Sequence, residues 1–345
     1  MPLSAPSLRG FFLELCMFKL VRLIAILLSV GAFFTPLKAQ TGAQATPTWP
    51  SQPLRLVVGF PAGTSPDLTA RAFAEPLAKA LGQPVLVENK VGAAGNIAAD
   101  FVAKATDNHT IGLMINGNMT IAKLLNPKLP YDPLTELAPI SLIGVSPLVL
   151  CAPASAAGAS AEEFLAAART GGNRWNYGTP GIGTVGHLGM ELLKAKTGLA
   201  AVHVPYPGYP QVTTAMIGGD LQLSLLPPAL ASAQIKAGKL RAIGITAGTR
   251  SALAPELPSL AEAGVKDLNL EIWNAVAAPQ SLPKAAAARL SALVAEIARS
   301  PEMRQKLFQQ GWQVVGSSAE ELAARVRIDT AQLGNIIATQ GIKVE

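Results

Sequence analysis

The chain has 345 residues, half of them apolar and 14% charged, with 28 Lys and Arg against 22 Asp and Glu. So apolar a composition excludes an intrinsically disordered chain, and the length suits about two domains. The net charge of +6 does not mark a nucleic-acid surface. Four bases and one acid precede residue 46, leaving 24 bases and 21 acids spread over the rest, without basic runs interleaved with aromatics.

From Met17, Lys19 and Arg22 make a positive segment, and Leu23 to Phe34 make an apolar segment of twelve residues. Pro36 then breaks the run before small-residue cleavage sites ending at Ala39 and Ala45, which is the pattern of an export signal. Twelve residues of helix span about 18 Å, well short of the roughly 30 Å of a membrane core. The expectation is therefore a periplasmic protein, cleaved near Ala39 or Ala45, with residues 1–45 serving as signal and tether and Met17 as an alternative start. Cleavage leaves Cys151 as the remaining cysteine, so no intramolecular disulfide is expected.

Leu54 to Val58 is a short apolar run suited to a strand covered on both faces. Ser65-Pro66-Asp67 has the form of a helix N-cap, a first-turn proline and a first-turn acid, and predicts a helix to Leu81. Gly82 stops that helix, and Pro76 should kink or restart it. Val85 to Val87 predicts the next strand, Gly92-Ala-Ala-Gly95 a helix start, and Thr110 to Ile115 a third strand.

The pattern repeats downstream. Ser160-Ala-Glu-Glu163 is a capping box for a helix ended by Gly171-Gly172, and Asn173 to Tyr177 predicts a strand. A glycine-rich loop then opens a helix over 184–197, with strands expected at 201–204, 221–226 and 240–246. Leu268 to Ala277 predicts a long strand able to cross between domains. Ser300-Pro-Glu302 and the box Ser318-Ala-Glu-Glu321 start two C-terminal helices. Strands alternating with helices imply mainly parallel sheets flanked by helices, in two α/β lobes. The expected division is 46–147 plus 255–345 for one lobe and 148–254 for the other.

The residues suggest no catalytic set. The histidines are His109, His187 and His203; His187 and Glu191 stand four apart without a second His, so no metal site is expected. No G-x-S-x-G elbow occurs, and Cys151 sits in an apolar run as a core thiol. Gly181-Ile-Gly183-Thr184-Val-Gly186 matches a dinucleotide fingerprint, but no acid stands about twenty residues on, in Val202-His-Val-Pro-Tyr206. No cofactor is expected. What remains is a glycine-rich turn at a helix N-terminus, where backbone N–H groups bind anions. The loop Phe60 to Asp67 supplies the same device in the first lobe, so two helix starts would face one cleft. A carboxylate is the simplest ligand for that arrangement.

The chain resembles the exported solute-binding receptors of tripartite tricarboxylate transporters, the Bug receptors. The resemblance runs from about residue 50 onward through Trp49-Pro-Ser-Gln-Pro-Leu-Arg-Leu-Val-Val58, Phe60-Pro-Ala-Gly-Thr-Ser-Pro-Asp67, Leu81-Gly-Gln-Pro-Val-Leu-Val-Glu-Asn89 and Gly92-Ala-Ala-Gly95. It continues through Tyr131-Asp-Pro133, Gly183-Thr184, His187-Leu188, His203-Val-Pro-Tyr206, Gly238-Lys-Leu-Arg241 and Glu262-Ala-Gly264. It implies a two-lobed periplasmic binding protein fold of type II character, with the ligand cleft between the lobes. By position, the implied ligand contacts are Phe60, Ala62, Gly63, Thr64 and Asp67, then Thr179, Gly183, Thr184 and His187, with Asp67 as cap or selector and His187 as buttress.

Where the family usually has two adjacent glycines, this chain has Gly63-Thr64, and Pro207 replaces a common Lys. The expected function is capture of a small carboxylate by a monomeric, non-catalytic receptor for delivery to membrane transporter subunits, without a nucleic-acid partner. A receptor signalling to a membrane sensor and a secreted hydrolase using Asp67 or His187 are the alternatives.

Overall fold

The computed structural model describes residues 49–158, 160–171 and 174–341. The export signal and its cleavage sites lie outside the described residues. From Trp49 the chain forms one compact unit.

The first elements are β1 (Leu54–Val58), α1 (Ser65–Leu81), β2 (Val85–Asn89), α2 (Asn96–Ala103), β3 (Thr110–Ile115), α3 (Ala122–Leu125), β4 (Leu137–Pro147) and β5 (Val149–Pro153). Then follow α4 (Ala161–Gly171), β6 (Trp175–Thr179), α5 (Val185–Thr197), β7 (Ala201–Pro205), α6 (Tyr209–Gly218), β8 (Ser224–Leu226), α7 (Pro228–Lys236) and β9 (Leu240–Ile245). The chain closes with β10 (Glu271–Pro279), α8 (Lys284–Arg299), α9 (Pro301–Gln309), β11 (Gln313–Val314) and α10 (Ala319–Gln340).

Local signals set most of these boundaries. Helix α1 ends at Gly82, which takes the left-handed conformation at φ 73° that a Cβ disfavours. The helix runs unbroken through Pro76 instead of restarting there. Its N-cap is Thr64, one residue before the expected Ser65, which puts Pro66 in the second helical position. Ser318 and Glu321 form the reciprocal capping box that starts α10, and Ser300 caps α9 through the Met303 amide.

Six strands make one sheet in the order β11-β4-β10-β3-β1-β2. A second group comprises the three-stranded sheet β8-β5-β9 and the pair β6-β7. A parallel bridge between Tyr177 and Leu223 and a 2.7 Å bond from Ser224 Oγ to Gly178 O attach that pair beside β8. Pairing is parallel within the strand–helix–strand units, at β1–β2, β1–β3 and β6–β7. It is antiparallel wherever β4, β5 or β10 takes part. The sheets are therefore mixed and not mainly parallel, because β10 enters the six-stranded sheet between β3 and β4 and runs against both, and β5 runs against both of its neighbours.

The crossover is tied at Thr246, whose hydroxyl accepts the Leu148 amide at 2.9 Å and donates to Leu270 O at 2.6 Å. Leu148 is the single residue between β4 and β5. Helix α10 packs on both groups: Leu322 and Val326 join the core under β4 and β10, while Leu333 joins that around β5, β6 and α5. Among the described residues, no helix is long and apolar enough to cross a membrane.

Candidate functional site

The two glycine-bearing loops lie at the carboxyl ends of β1 and β6, each leading into a helix. In the first, Gly63 turns the chain at φ 79° and Thr64 closes it, its hydroxyl donating to Pro61 O at 2.6 Å. The buried Asp67 carboxylate locks this loop from below. Its Oδ2 accepts the Gly63 amide at 2.8 Å and Arg71 Nε at 2.9 Å, and its Oδ1 accepts Asn89 Nδ2 at 2.9 Å. The same Asn89 nitrogen donates to Phe60 O at 2.9 Å, so β2 holds both ends of the loop. Burial raises the Asp67 pKa, yet the bonds from Arg71, Gly63 and Asn89 together hold it below the usual carboxylate value.

The second loop is held in the same manner by different groups. Gly181 and Gly183 take positive φ of 119° and 84°. Thr184 Oγ1 donates to Gly181 O at 2.8 Å and accepts the His187 amide at 3.3 Å, capping α5. Thr179 Oγ1 accepts the Gly181 amide at 3.2 Å and shares a 2.7 Å hydrogen bond with His203 Nε2. His203 is stacked on Tyr177 and packs against His187. Tyr177 Oη donates to Glu191, which Lys194 also contacts at 2.8 Å. Burial first, and then the neighbouring His187, push the His203 pKa down to about 4, so it is neutral under the loop at pH 7.

The loops of the two strand groups meet. A methyl group built on Gly208 would stand 3.1 Å from Thr64 Cγ2, and one on Gly117 would stand 2.7 Å from Gly183 O. They enclose a cavity of about 340 Å³ lined by Ser65 and Pro66 of α1 and by Thr184, Val185 and Gly186 at the start of α5. Phe60, Gly63, Asn116, Tyr209, Ile272 and Trp312 are also in its wall. A second cavity of about 510 Å³ lies along Gly92 to Asn96 and Gly181 to Gly183, and shares Phe60 and Pro180 with the first. Among the described residues no charged side chain lines either cavity.

Of the sequence-derived contacts, Phe60, Gly63, Thr64 and Thr184 line the first cavity and Phe60 and Gly183 the second. Ala62, Asp67, Thr179 and His187 line neither. Asp67 and Thr179 instead hold the loops, as the hydrogen bonds above describe, and His187 packs behind them. The donors are also displaced from where the glycines suggest. The Gly63 amide is spent on Asp67, and the Thr184 hydroxyl hydrogen on Gly181 O. The first-turn amides of Ser65, Val185 and Gly186 are the ones a helix leaves without an internal acceptor, and all three residues line the one cavity.

Sequence reasoning also missed Asn116, Gln310 and Trp312. Each lines the first cavity and carries a buried polar atom, Asn116 Oδ1, Gln310 Oε1 and Trp312 Nε1, with no partner among the described residues. Asn116 had a usable signal, since it directly follows a predicted strand. Gln310 and Trp312 had none, because they reach the site only when α9 and β11 fold back on the sheet. No three His, Cys, Asp or Glu side chains among the described residues cluster as a metal-binding set.

The chain is similar to known proteins over most of its length. A sequence model described as the tripartite tricarboxylate transporter family receptor matches residues 69–342. A UPF0065 protein of Bordetella pertussis is 32% identical over 308 residues, covering 89% of this chain and 95% of that protein. Among solved structures, R. palustris Rpa4515 with adipate aligns with a TM-score of 0.82 at 29% identity, over 86% of this chain and 99% of that one. The periplasmic binding protein BugD aligns with a TM-score of 0.80 at 28% identity, over 86% of this chain and 100% of that one. The shared architecture is that of periplasmic binding proteins of this type, with mixed sheets flanked by helices.

Proposed function

The chain belongs to the tripartite tricarboxylate transporter receptor family, and we propose that it works in the periplasm, capturing a small carboxylate between its two loops for delivery to membrane transporter subunits. The observation that carries this reading is the single cavity bordered by the first turns of both α1 and α5. Two helix starts bring partial positive charge and free amides to one place without a cationic side chain. A carboxylate held by the Ser65, Val185 and Gly186 amides would keep its charge satisfied by dipoles fixed in the fold. Phe60, Gly63, Thr64 and Thr184 would shape the walls around it. Asp67, Thr179 and His187 would act on the ligand only through the loops they hold. On this reading the lobes divide at the crossover beside Leu148, with 46–147 and 255–345 on one side.

The volume, about 340 Å³, falls at the small end of the roughly 300–1,000 Å³ usual for small-molecule sites. The adipate in Rpa4515 and the periplasmic setting of BugD support both the ligand class and the compartment. That family relatives are binding proteins supports a non-catalytic role, with uptake as the output.

The test is thermal denaturation of the exported protein, recovered from the periplasm and dialysed free of ligand, against a broad carboxylate panel. A ligand at a hundred times its Kd adds about 2.7 kcal/mol. Stabilisation by one or more acids is expected; no shift with any acid of the panel overturns the reading.

A further inference from the structure

Tyr209 opens α6 and lines the first cavity. Its ring is held between two apolar cores, one containing Val185 and Leu188 and the other Val212 and Met216. Its hydroxyl has no hydrogen-bond partner among the described residues, whereas those of Tyr131 and Tyr177 donate to Asn96 Oδ1 at 2.8 Å and to Glu191. Nor is that hydroxyl sealed. Asn116 Oδ1, Gln310 Oε1 and Trp312 Nε1 are unpartnered and shut away from solvent, while Tyr209 is half-buried and its Oη keeps accessible surface.

The hydroxyl stands where α5 begins. A methyl group built on Gly186 would collide with Tyr209 Oη, and its next neighbours would be Tyr209 Cζ at 3.5 Å and Pro180 Cδ at 3.8 Å. Gly186 and Pro180 border the same cavity as Tyr209. By standard bond lengths, Oη therefore lies within about 5 Å of the Gly186 amide nitrogen, a spacing that the two oxygens of one carboxylate can bridge. That amide is open, because Gly186 is the second residue of α5 and the Thr184 cap takes the His187 amide instead. Glycine inside a helix is less favourable than alanine, and here the hydroxyl occupies the space a side chain would fill. Burial raises the Tyr209 pKa and keeps the proton on Oη at neutral pH. The phenol is thus an open donor that brings no charge.

Resting on the carboxylate reading above, we infer that Tyr209 is a side-chain donor of this site, its Oη–H hydrogen-bonding the carboxylate that the Val185 and Gly186 amides hold. The grip on the anion then depends on a hydroxyl from outside both glycine loops, and Gly186 serves to admit it to the helix start.

Calorimetric titration of the exported, ligand-free protein with hexanoate, adipate, malate and citrate decides this, in wild type and in Tyr209→Phe. The variant keeps the ring and its packing but loses the donor. Its ligand-free melting temperature is expected to equal that of wild type, and every acid that wild type binds should weaken at least about fivefold, as for a lost hydrogen bond to a charged group. A smaller loss overturns the inference and leaves the carboxylate reading standing. A variant destabilised or unfolded without ligand also overturns it, since the hydroxyl would then be spent within the fold. Gly186→Ala crowds the hydroxyl but keeps the amide, so it should weaken the same acids in wild type and add little in Tyr209→Phe; equal losses in both backgrounds count against the inference. If wild type binds none of the four acids, the inference falls, and the broad panel decides whether the carboxylate reading falls with it.

Discussion

Asp67 Oδ2 accepts the Gly63 amide at 2.8 Å from within the helix that the glycine loop precedes. The loop is thus closed by a residue four positions downstream, and the amide that looks freest in the sequence is committed. What stays available to a ligand is the helix start itself.

Replacing Asp67 by Ala leaves the Gly63 amide, Asn89 Nδ2 and Arg71 without their shared acceptor. The expected loss of stability is about 3 kcal/mol, read from urea denaturation at pH 7. Because the folded carboxyl titrates below its ordinary value of 3.8, its stabilisation is present above that value and lost as the pH falls through the lower folded value. Asp67→Asn should therefore flatten the acid limb of the stability profile relative to wild type.

Thr184 caps α5, and its hydroxyl hydrogen points to Gly181 O. Thr184→Val should cost about 1 kcal/mol of stability, within the usual range for a lost cap, and Thr184→Ser should restore it. Affinity for the best acid of the panel is expected to change less than about threefold, since the hydroxyl makes no free donor. A large affinity loss with unchanged stability would reverse these roles.

His203 gives the protein a second pH dependence, in a different window. In the folded chain it titrates at about 4, against 6.5 for the free side chain, under the influence of burial, His187, Glu191 and Lys194. Between those values the unfolded chain binds more protons, so stability falls as the pH drops from about 6.5 toward 4 and levels off below. The loss approaches about 3 kcal/mol as an upper bound. Denaturation at pH 7 and pH 4.5 checks it, and His203→Gln should remove part of the difference, since burial lowers the pKa of the adjoining His187 as well.

A methyl group at Gly117 would stand 2.7 Å from the Gly183 carbonyl oxygen, a backbone atom with little room to yield. Overpacking of this kind costs about 1–3 kcal/mol, and here it falls on any arrangement that brings the segment after β3 against the loop after β6. Gly117→Ala should weaken binding of the best acid by about tenfold or more while leaving the far-ultraviolet circular dichroism unchanged. Unaltered affinity would mean that these segments need not approach this closely to hold a ligand.

The local punctuation of this chain was legible without its fold. Gly82 ends α1, Ser318 and Glu321 start α10, and Thr110 to Ile115 is a strand, because caps, glycines and apolar runs act over a few residues. The glycine loops themselves were visible for the same reason. Tertiary structure decided matters that depend on partners far along the chain. The strand β4, unassigned from sequence, is stabilised by its long antiparallel pairing with β10, more than 120 residues away. Whether an amide is spent or free depends on side chains from other elements, as Asn89 and Asp67 show at the first loop.

Composition and charge established that any anion would have to be held by something other than a basic patch, since the excess of bases beyond residue 45 is only three. The sequence also showed two helix starts with the chemistry to replace it. That both border one uncharged cavity, and that Trp312 and Asn116 join them in its wall, follows only from packing. Hydrogen-bond donors are encoded locally, but their vacancy is settled by everything that folds around them.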